Sequence, residues 1–295
     1  MKVVKNGDKI IVKDIKDFDI AQTLLCGQCF HFDELNDNKF GVVAYSTYCI
    51  VSQKGSDLIF EKSSLNEVKN IWIPYFDLER DYAFIKKYLL EKDDKLKTAI
   101  DEKWGIRLLN QEFHEILLSF IISQNKQIPH IKKIVKDISE KYGEYLGEYE
   151  DVKFYAFPEI EDLNKITVED YRELKTGFRA PYLKDASDKL NDGSIDFNML
   201  RSIGYDKAIE KLTDIKGVGL KVANCVSLFS LGYRNSFPID VWIKRIMEHV
   251  YFNDMDVSKE EIAKLADKLY GNFGGYAQQY LFSYGKDMSL GKDVK

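Results

Sequence analysis

Two glycines, a lysine and a cysteine lie close together in the segment TDIKGVGLKVANC, residues 213–225. Gly217 and Gly219 precede an apolar helical pattern, so they let backbone N–H groups point outward at a helix N-terminus, where the helix dipole favours anions. Such a site binds phosphate through the backbone and reads no base sequence. A plain turn between two helices has the same spacing, and the residues alone leave both interpretations open. We call residues 213–219 the glycine hairpin.

Lys221 follows the glycine hairpin in the first turn of the predicted helix. The helix dipole and partial burial both disfavour an ammonium ion there, so a neutral amine, the nucleophile of Schiff-base chemistry, becomes more available. Cys225 comes four residues later and therefore lies on the same helical face. Asp240 follows Pro238 in the segment SFPID and begins another predicted helix. Its carboxylate is suited to capping that helix and equally to stabilising positive charge in a shared pocket.

The composition of the 295-residue chain is typical of a soluble globular protein, with 45% hydrophobic and 31% charged residues. No apolar run approaches the roughly 18 residues that a membrane-spanning helix requires. The N-terminus lacks the apolar core of a signal peptide, so we expect a cytoplasmic protein with no membrane partner.

Charge is unevenly distributed along the chain, whose net charge is −5. Residues 144–170 hold nine acidic residues and two lysines, whereas residues 201–250 hold eight basic and five acidic residues. A basic face on an acidic protein is compatible with phosphate binding.

The four cysteines are too few for a disulfide framework in a chain of this length; they are Cys26, Cys29, Cys49 and Cys225. Cys26 and Cys29 form a C-x-x-C, the spacing of half a zinc site or a redox pair. There is no second such pair, and the four histidines are scattered. We therefore interpret both cysteines as small buried residues.

The elements that must position these residues change in type near residue 100. Before it, KFGVVAYSTYCIVSQKGSDLIFEK has β-branched and aromatic runs on either side of a turn at residues 54–57, which predicts an antiparallel β-sheet. After it, apolar residues recur at helical spacing, as in QEFHEILLSFIIS and PHIKKIVKDISEKYG. The sequence predicts an α+β chain with an N-terminal β-rich domain over residues 1–100 and a mostly α-helical body over residues 101–295. Further predicted helices cover residues 167–176, 180–191, 205–214, 219–231, 239–250 and 258–270.

The segment IKGVGLKVANC…FPIDVWIKRI resembles the helix-hairpin-helix, Gly/Pro…Asp superfamily of DNA glycosylases, and within it the 8-oxoguanine DNA glycosylases. Four further segments extend the resemblance in the right order: LCGQCFHF at residues 25–32, FIISQNKQIPHI, GFRAPYL and GYAQQYLF. No cysteine follows Cys225, which excludes the C-terminal four-cysteine iron–sulfur site of the endonuclease III and adenine glycosylase relatives.

The resemblance implies a bifunctional enzyme of base excision repair that requires no cofactor. It would act as a monomer, associated with the nucleoid, on double-stranded DNA containing 8-oxoguanine. The damaged base is flipped out of the duplex. Lys221 then attacks C1′ and displaces the base, and the imine that forms allows β-elimination, the AP lyase step. Asp240 supports the oxocarbenium-like charge.

The resemblance also implies how the base is read. The backbone carbonyl of Gly27 accepts the N7 proton that 8-oxoguanine has and guanine lacks, and glycine permits that close approach. Phe282 and Cys225 contact the two faces of the base, and Gln278 bonds its Watson–Crick edge.

Several implied DNA contacts lie outside the base pocket. Phe178 is the wedge that fills the gap left by the flipped base, and Asn125 and Arg179 contact the orphaned cytosine. His130 stands where many relatives have arginine, which weakens the expected preference for cytosine. Lys216 replaces the usual proline of the hairpin. The implied backbone contacts are phosphate binding at Gly217 and Gly219, and a monovalent or calcium ion held by the carbonyls of Thr213, Ile215 and Val218.

Two other functions fit parts of the sequence. A glycosylase of another base specificity, such as an alkylbase glycosylase, would share the scaffold, but Gly27 and Gln278 match the oxidised-guanine branch. A non-catalytic helix-hairpin-helix DNA-binding module would need the two glycines of the hairpin. It would have no use for Lys221 and Asp240 together.

Overall fold

The N-terminal part of the computed structural model, which describes residues 1–36 and 38–287, is a six-stranded antiparallel β-sheet. Its strands are β1 (Lys2–Asn6), β2 (Lys9–Lys13), β3 (Phe32–Asn36), β4 (Lys39–Ala44), β5 (Thr47–Lys54) and β6 (Asp57–Glu61). They lie in the order β1–β2–β6–β5–β4–β3. The turn predicted at residues 54–57 joins β5 to β6, with Lys54 paired to Asp57.

Short helices flank this sheet. They are α1 (Ile20–Leu25), α2 (Leu65–Glu67), a π-helical turn (Val68–Trp72), α3 (Ile73–Tyr75), α4 (Tyr82–Lys92), a 3-10 turn (Asp94–Leu96) and α5 (Lys97–Glu102). Phe18, Trp72 and Phe76 pack with the inner face of the sheet in one core. Tyr82 and Leu89 of α4 belong instead to the core of the helical body, so the two parts of the chain share packed surface.

The remainder is mostly α-helical, as predicted. The helices are α6 (Phe113–Ser123), α7 (Ile128–Tyr142), α8 (Ile160–Lys165), α9 (Val168–Glu173), a 3-10 turn (Gly177–Arg179), α10 (Ala180–Asn191), α11 (Phe197–Ser202), α12 (Tyr205–Thr213), α13 (Leu220–Val226) with a π-helical continuation (Ser227–Leu231), α14 (Val241–Tyr251), α15 (Lys259–Tyr270), a 3-10 turn (Gly271–Phe273) and α16 (Gly274–Asp287). This confirms the α+β fold class. The division into residues 1–100 and 101–295 stays a prediction, and its last residues, 288–295, lie outside the described part.

The helical body also contains a β-hairpin that was not predicted. Strands β7 (Tyr145–Tyr149) and β8 (Val152–Tyr155) form a hairpin inside the acid-rich segment. Phe154 of β8 stacks on Tyr48 with ring centroids 4.8 Å apart and packs against Val43 and Ile50. The hairpin therefore covers the outer face of the large sheet. Its acidic residues and a register shift after Tyr145 interrupt the alternation that would have identified the strands.

Helix packing brings together the segments that carry the predicted site. Helix α13 packs against α6, and α14 packs against α16. The N-termini of α13 and α14 thereby lie near the end of α1. Among the described helices, none combines the length and the hydropathy needed to cross a bilayer.

Candidate active site and DNA-binding surface

The glycine hairpin connects α12 to α13 as a tight turn. Gly217 has φ +74°, a left-handed conformation that favours glycine, and Gly219 has φ −99° and is the N-cap of α13. Space around Gly219 is open, since a Cβ built there has no neighbour within 4 Å. The first amides of α13 have no acceptor within the helix. The hairpin thus presents backbone donors at the positive end of a helix dipole.

Helix α10 supports the hairpin from behind. The backbone N–H of Lys216, a donor that proline would lack, donates to Oδ2 of Asp185 at 2.8 Å. Lys189 Nζ donates to the same oxygen at 2.6 Å and to the carbonyl of Asp214 at 2.8 Å. Asp185 therefore fixes the backbone of the hairpin. It also holds Lys189, whose positive charge balances the negative charge of Asp185.

Lys221 is the second residue of α13, so it lies in the first turn as predicted. Its Nζ lies 5.1 Å from the ring centroid of Phe120 in α6, a cation–π distance. Cys225 follows one turn further along α13, where the positive charge of Lys221 acts on its thiol. Burial raises the pKa of the Cys225 thiol to about 11, against an opposing effect of the positive charge of Lys221. Cys225 is therefore a neutral thiol at neutral pH and offers a soft, uncharged surface.

The position of Asp240 is compatible with both roles that the sequence left as alternatives. It is the N-cap of α14, and its Oδ1 accepts the backbone N–H of Ile243 at 2.8 Å. The residue also lines the same cleft as Lys221. Capping uses only part of the acceptor capacity of a carboxylate. The cap therefore holds the side chain in place, and its negative charge still faces the cleft.

The structure brings six predicted residues around one inner recess of about 50 Å³: Gly27, Lys221, Cys225, Asp240, Gln278 and Phe282. The recess shares lining residues with an outer cleft of about 830 Å³. These side chains come from α13, α16, the residue that begins α14 and the segment after α1. A lysine amine, a carboxylate, a thiol and an aromatic ring therefore meet at one place.

Gly27 and Phe282 are in close contact at the mouth of the recess. Gly27 has φ +91°. A Cβ built on it would lie 3.4 Å from Cε1 of Phe282 and 3.3 Å from Cδ1 of Ile128. Both its conformation and its tight surroundings therefore favour glycine at this position.

Gln278 has an unused acceptor in the recess. The residue is 5% exposed, and its Nε2 donates to the carbonyl of Pro238 at 3.2 Å. Its Oε1 is buried without a hydrogen-bond partner among the described residues. A buried acceptor without a donor costs about 1–3 kcal/mol. A ligand that donates a hydrogen bond to Oε1 would therefore remove this cost.

Phe178, Asn125 and His130 lie on the surface near the cleft. Phe178 is 56% exposed on its 3-10 turn, an unusual position for a large apolar ring. Asn125 is exposed at φ +52° in the turn between α6 and α7, and His130 is exposed in the first turn of α7. All three are accessible to a macromolecular ligand.

Arg179 is buried, whereas Phe178, Asn125 and His130 are exposed. It is 4% exposed, its Nη1 donates to the carbonyl of Thr176 at 3.1 Å, and its Nη2 donates to the carbonyl of Gln124. Burial lowers the pKa of the guanidinium. Nε has no partner among the described residues. Arg179 thus ties the Asn125 turn to the Phe178 turn, and its contact with a base stays a prediction.

Four residues of the recess were not singled out from the sequence: Phe120, Phe229, Pro238 and Gln279. Phe120 stacks on Phe229 with centroids 5.6 Å apart, and Gln279 donates to the carbonyl of Cys26 at 3.4 Å. Phe120 lies in the almost wholly apolar helix α6. Nothing in that pattern separates a pocket phenylalanine from a core one.

Cys26 and Cys29 are buried at the end of α1 and are not joined by a disulfide. The Cys26 thiol donates to the carbonyl of Thr23 at 3.1 Å, and the Cys29 sulfur lies 3.3 Å from the hydroxyl of Tyr75. Burial raises the pKa of Cys26 to about 11 and that of Cys29 to about 12. The interpretation of both as small buried residues is confirmed.

Two known families match successive segments of the chain. Residues 10–117 match the N-terminal domain of 8-oxoguanine DNA glycosylase, and residues 118–271 match the HhH-GPD superfamily of base excision DNA repair proteins. The second match alone covers more than half of the chain.

Solved structures agree over nearly the whole length. MBOgg1 in complex with a low affinity DNA ligand is 41% identical, with a TM-score of 0.94 over 98% of this chain and 99% of that one. The Clostridium acetobutylicum 8-oxoguanine glycosylase/lyase in complex with dsDNA containing cytosine opposite to 8-oxoG is 38% identical, with the same TM-score and coverage. The probable N-glycosylase/DNA lyase of Methanothermobacter thermautotrophicus is 28% identical over 277 residues, which cover 86% of this chain and 82% of that protein. The chain belongs to the 8-oxoguanine DNA glycosylases of the helix-hairpin-helix, Gly/Pro…Asp superfamily.

Proposed function

We propose that this protein excises 8-oxoguanine from double-stranded DNA and then cleaves the strand at the abasic site by β-elimination. The observation that carries the proposal is the meeting of Lys221 and Asp240 with four candidate base-binding residues around one recess. Relatives named N-glycosylase/DNA lyase and 8-oxoguanine glycosylase/lyase support the same activity.

Lys221 supplies the nucleophile. Its neutral amine attacks C1′ of the flipped nucleotide, and the C1′–N9 bond breaks. The electron pair of that bond leaves with the base, which takes up a proton. Opening of the sugar ring gives an imine between Nζ and C1′. Loss of a C2′ proton then expels the 3′ phosphate group, which breaks the strand. Hydrolysis of the imine returns the free lysine.

Asp240 stabilises the positive charge that develops on the sugar as the base leaves. A fixed carboxylate in a site shielded from water acts more strongly than one in solution, because it needs no reorganisation. Capping of α14 through Ile243 N–H provides that fixed position.

Base reading depends on one proton. N7 of 8-oxoguanine carries a hydrogen, and the carbonyl of Gly27 accepts it, whereas N7 of guanine is itself an acceptor and would repel that carbonyl. The unused Oε1 of Gln278 accepts an N–H of the Watson–Crick edge. The neutral thiol of Cys225 and the ring of Phe282 contact the two faces of the base.

Duplex DNA is held by the surface around the cleft. Backbone amides near Gly217 and Gly219 bind a phosphate, and Phe178 enters the base stack beside the flipped nucleotide. Asn125 and Arg179 contact the orphaned cytosine, with His130 nearby. The resemblance supports each of these proposed contacts, and the exposure of Phe178, Asn125 and His130 supports theirs as well. For the buried Arg179 the proposal rests on the resemblance alone.

A cation at the hairpin is part of the same proposal. Thr213 is the last residue of α12, so its carbonyl lacks an intrahelical donor and lies at the negative end of the helix dipole. The carbonyl of Ile215 already accepts the N–H of Val218 at 3.0 Å and keeps one lone pair. The carbonyls of Thr213, Ile215 and Val218 fit a monovalent or calcium ion, which would add positive charge beside a bound phosphate.

The proposed chemistry requires no cofactor, because Lys221 provides the nucleophile and Asp240 the charge. We propose that the protein acts as a monomer at the nucleoid, as the resemblance implies.

Borohydride trapping tests the function. The protein is incubated with a duplex containing 8-oxoguanine opposite cytosine, with the undamaged duplex and with a duplex containing an alkylated base. A covalent adduct with the first duplex alone is expected. An adduct with the alkylated duplex would indicate another base specificity, and binding with no adduct would indicate a non-catalytic DNA-binding module.

A further inference from the structure

Gln28, the residue after Gly27, is held by hydrogen bonds through its whole side-chain amide. Its side chain is fully buried. Nε2 donates to the carbonyls of Thr23 at 2.9 Å and Arg107 at 2.7 Å, and Oε1 accepts the N–H of Leu109 at 3.0 Å. Both amide protons and the carbonyl of the side chain are therefore used by backbone groups of two separate segments.

The backbone of Gln28 is fixed as well, through a second glutamine. Nε2 of Gln111, which is 4% exposed, donates to the carbonyl of Gln28 at 2.8 Å. The N–H of Gln111 donates to the carbonyl of Phe229 at 2.8 Å. Phe229 lies in the π-helical continuation of α13, the helix that carries Lys221 and Cys225. A chain of hydrogen bonds thus connects the segment after α1 to the helix of the proposed nucleophile.

Gly27 cannot hold its own carbonyl in one direction. It adopts φ +91°, and glycine is the residue with the greatest backbone freedom. Its carbonyl shares one planar peptide unit with the N–H of Gln28. Holding Gln28 at its side chain and its own carbonyl therefore restricts the directions open to the Gly27 carbonyl.

We propose that Gln28 is a positioning residue for base discrimination, which aims the Gly27 carbonyl at N7 of the flipped base. The inference rests on the proposed function, in which that carbonyl accepts the N7 proton. A hydrogen bond weakens steeply with distance and misalignment, so a small displacement of the peptide unit removes the preference for 8-oxoguanine. The abasic site has no base to read, and cleavage there depends on Lys221 and not on the Gly27 carbonyl.

The test compares two reactions of the same preparations. Gln28→Leu keeps the volume of the side chain and removes its hydrogen bonds. Single-turnover excision of 8-oxoguanine opposite cytosine is measured beside cleavage of a preformed abasic site. Excision is expected to fall roughly ten- to a hundredfold, as for loss of one or two buried hydrogen bonds, while abasic-site cleavage changes about threefold or less.

Gln53 is a matched control at the other end of α1. Its Nε2 donates to the carbonyls of Phe18 at 2.9 Å and Gly55 at 3.0 Å, and its Oε1 accepts the N–H of Ile20 at 2.8 Å. Gln53→Leu removes the same set of bonds away from the Gly27 peptide. It is expected to lower the melting temperature without separating the two reactions.

A second variant keeps the test decisive if Gln28→Leu does not fold. Gln111→Leu removes only the bond to the Gln28 carbonyl and is expected to show the same selective loss with a smaller amplitude. Parallel loss of excision and abasic-site cleavage in both variants, or unchanged excision in both, overturns the proposal. Wild-type protein that leaves 8-oxoguanine in place would instead overturn the proposed function.

Discussion

The ring of Tyr182 occupies the space that a side chain on Gly217 would fill. A Cβ built on Gly217 would lie 2.2 Å from Cδ2 of Tyr182, closer than any real contact of that kind. Tyr182 also touches the exposed Phe178, with ring centroids 6.1 Å apart in an edge-to-face arrangement. One aromatic side chain of α10 therefore contacts both the glycine hairpin and the candidate wedge.

This contact predicts different outcomes for the two hairpin glycines. Gly217→Ala must adopt φ +74° and displace Tyr182, so the free energy of unfolding is expected to fall by about 1–3 kcal/mol. Gly219→Ala has an ordinary φ of −99° and open space, and its stability should stay within about 0.5 kcal/mol of wild type. Urea unfolding of both variants is the measurement. Equal free energies of unfolding of the two variants would show that the Tyr182 ring can move aside at little cost.

Lys221→Gln is expected to abolish strand cleavage and borohydride adduct formation while duplex binding persists, because it removes the amine that forms the imine. Lys132→Gln is the matched control. Lys132 lines the same outer cleft, and its Nζ lies 3.6 Å from the ring centroid of Phe32, but no role in the reaction is assigned to it. Gel analysis after borohydride treatment reports the adduct. An adduct that persists in Lys221→Gln and disappears in Lys132→Gln would reassign the nucleophile.

Asp240→Asn separates charge from capping. Asparagine caps helices about as well as aspartate, so the bond to Ile243 N–H should survive while the negative charge is lost. Base excision should slow roughly a hundredfold or more, with little change in melting temperature. Asp240→Ala loses both functions. Asp196→Ala removes a cap of the same kind from α11, where Oδ1 accepts Met199 N–H at 2.7 Å, and should affect stability alone. Near-normal excision by Asp240→Asn would leave capping as the only role.

His130→Arg is expected to sharpen the preference for cytosine opposite the lesion by about tenfold or more. A neutral histidine offers one donor, whereas arginine offers a fork of donors for the O2 and N3 acceptors of cytosine, and one good polar contact to a base is worth roughly 1–3 kcal/mol. His130 is exposed in the first turn of α7, so the longer side chain fits without repacking. Single-turnover excision opposite each of the four bases gives the ratios.

One outcome would contradict the prediction for His130→Arg. If the wild-type protein already discriminates as strongly as His130→Arg, then position 130 does not set specificity. Lys126, which lines the outer cleft in the preceding turn, would become the next residue to change.

Local patterns in the sequence were enough for the parts of the site that depend on a few neighbouring residues. The glycines of the hairpin, the place of Lys221 in the first turn of α13 and the cap at Asp240 all follow from hydrogen bonds that span three or four residues. The turn between β5 and β6 and the long amphipathic helices are of the same kind. The change from β-rich to helical patterns near residue 100 predicted the fold class and the resemblance added the family, and both are confirmed.

Only the tertiary structure decided how distant segments meet. It placed β2 beside β6 and formed the β7–β8 hairpin within an acidic stretch. It also buried Arg179, the residue expected to contact cytosine, against two backbone carbonyls. Gly27 meets Phe282, and Gln28 is bonded to a segment some eighty residues away. Such contacts arise because the whole core must bury its apolar surface and satisfy its buried polar groups at the same time. No local spacing encodes that condition.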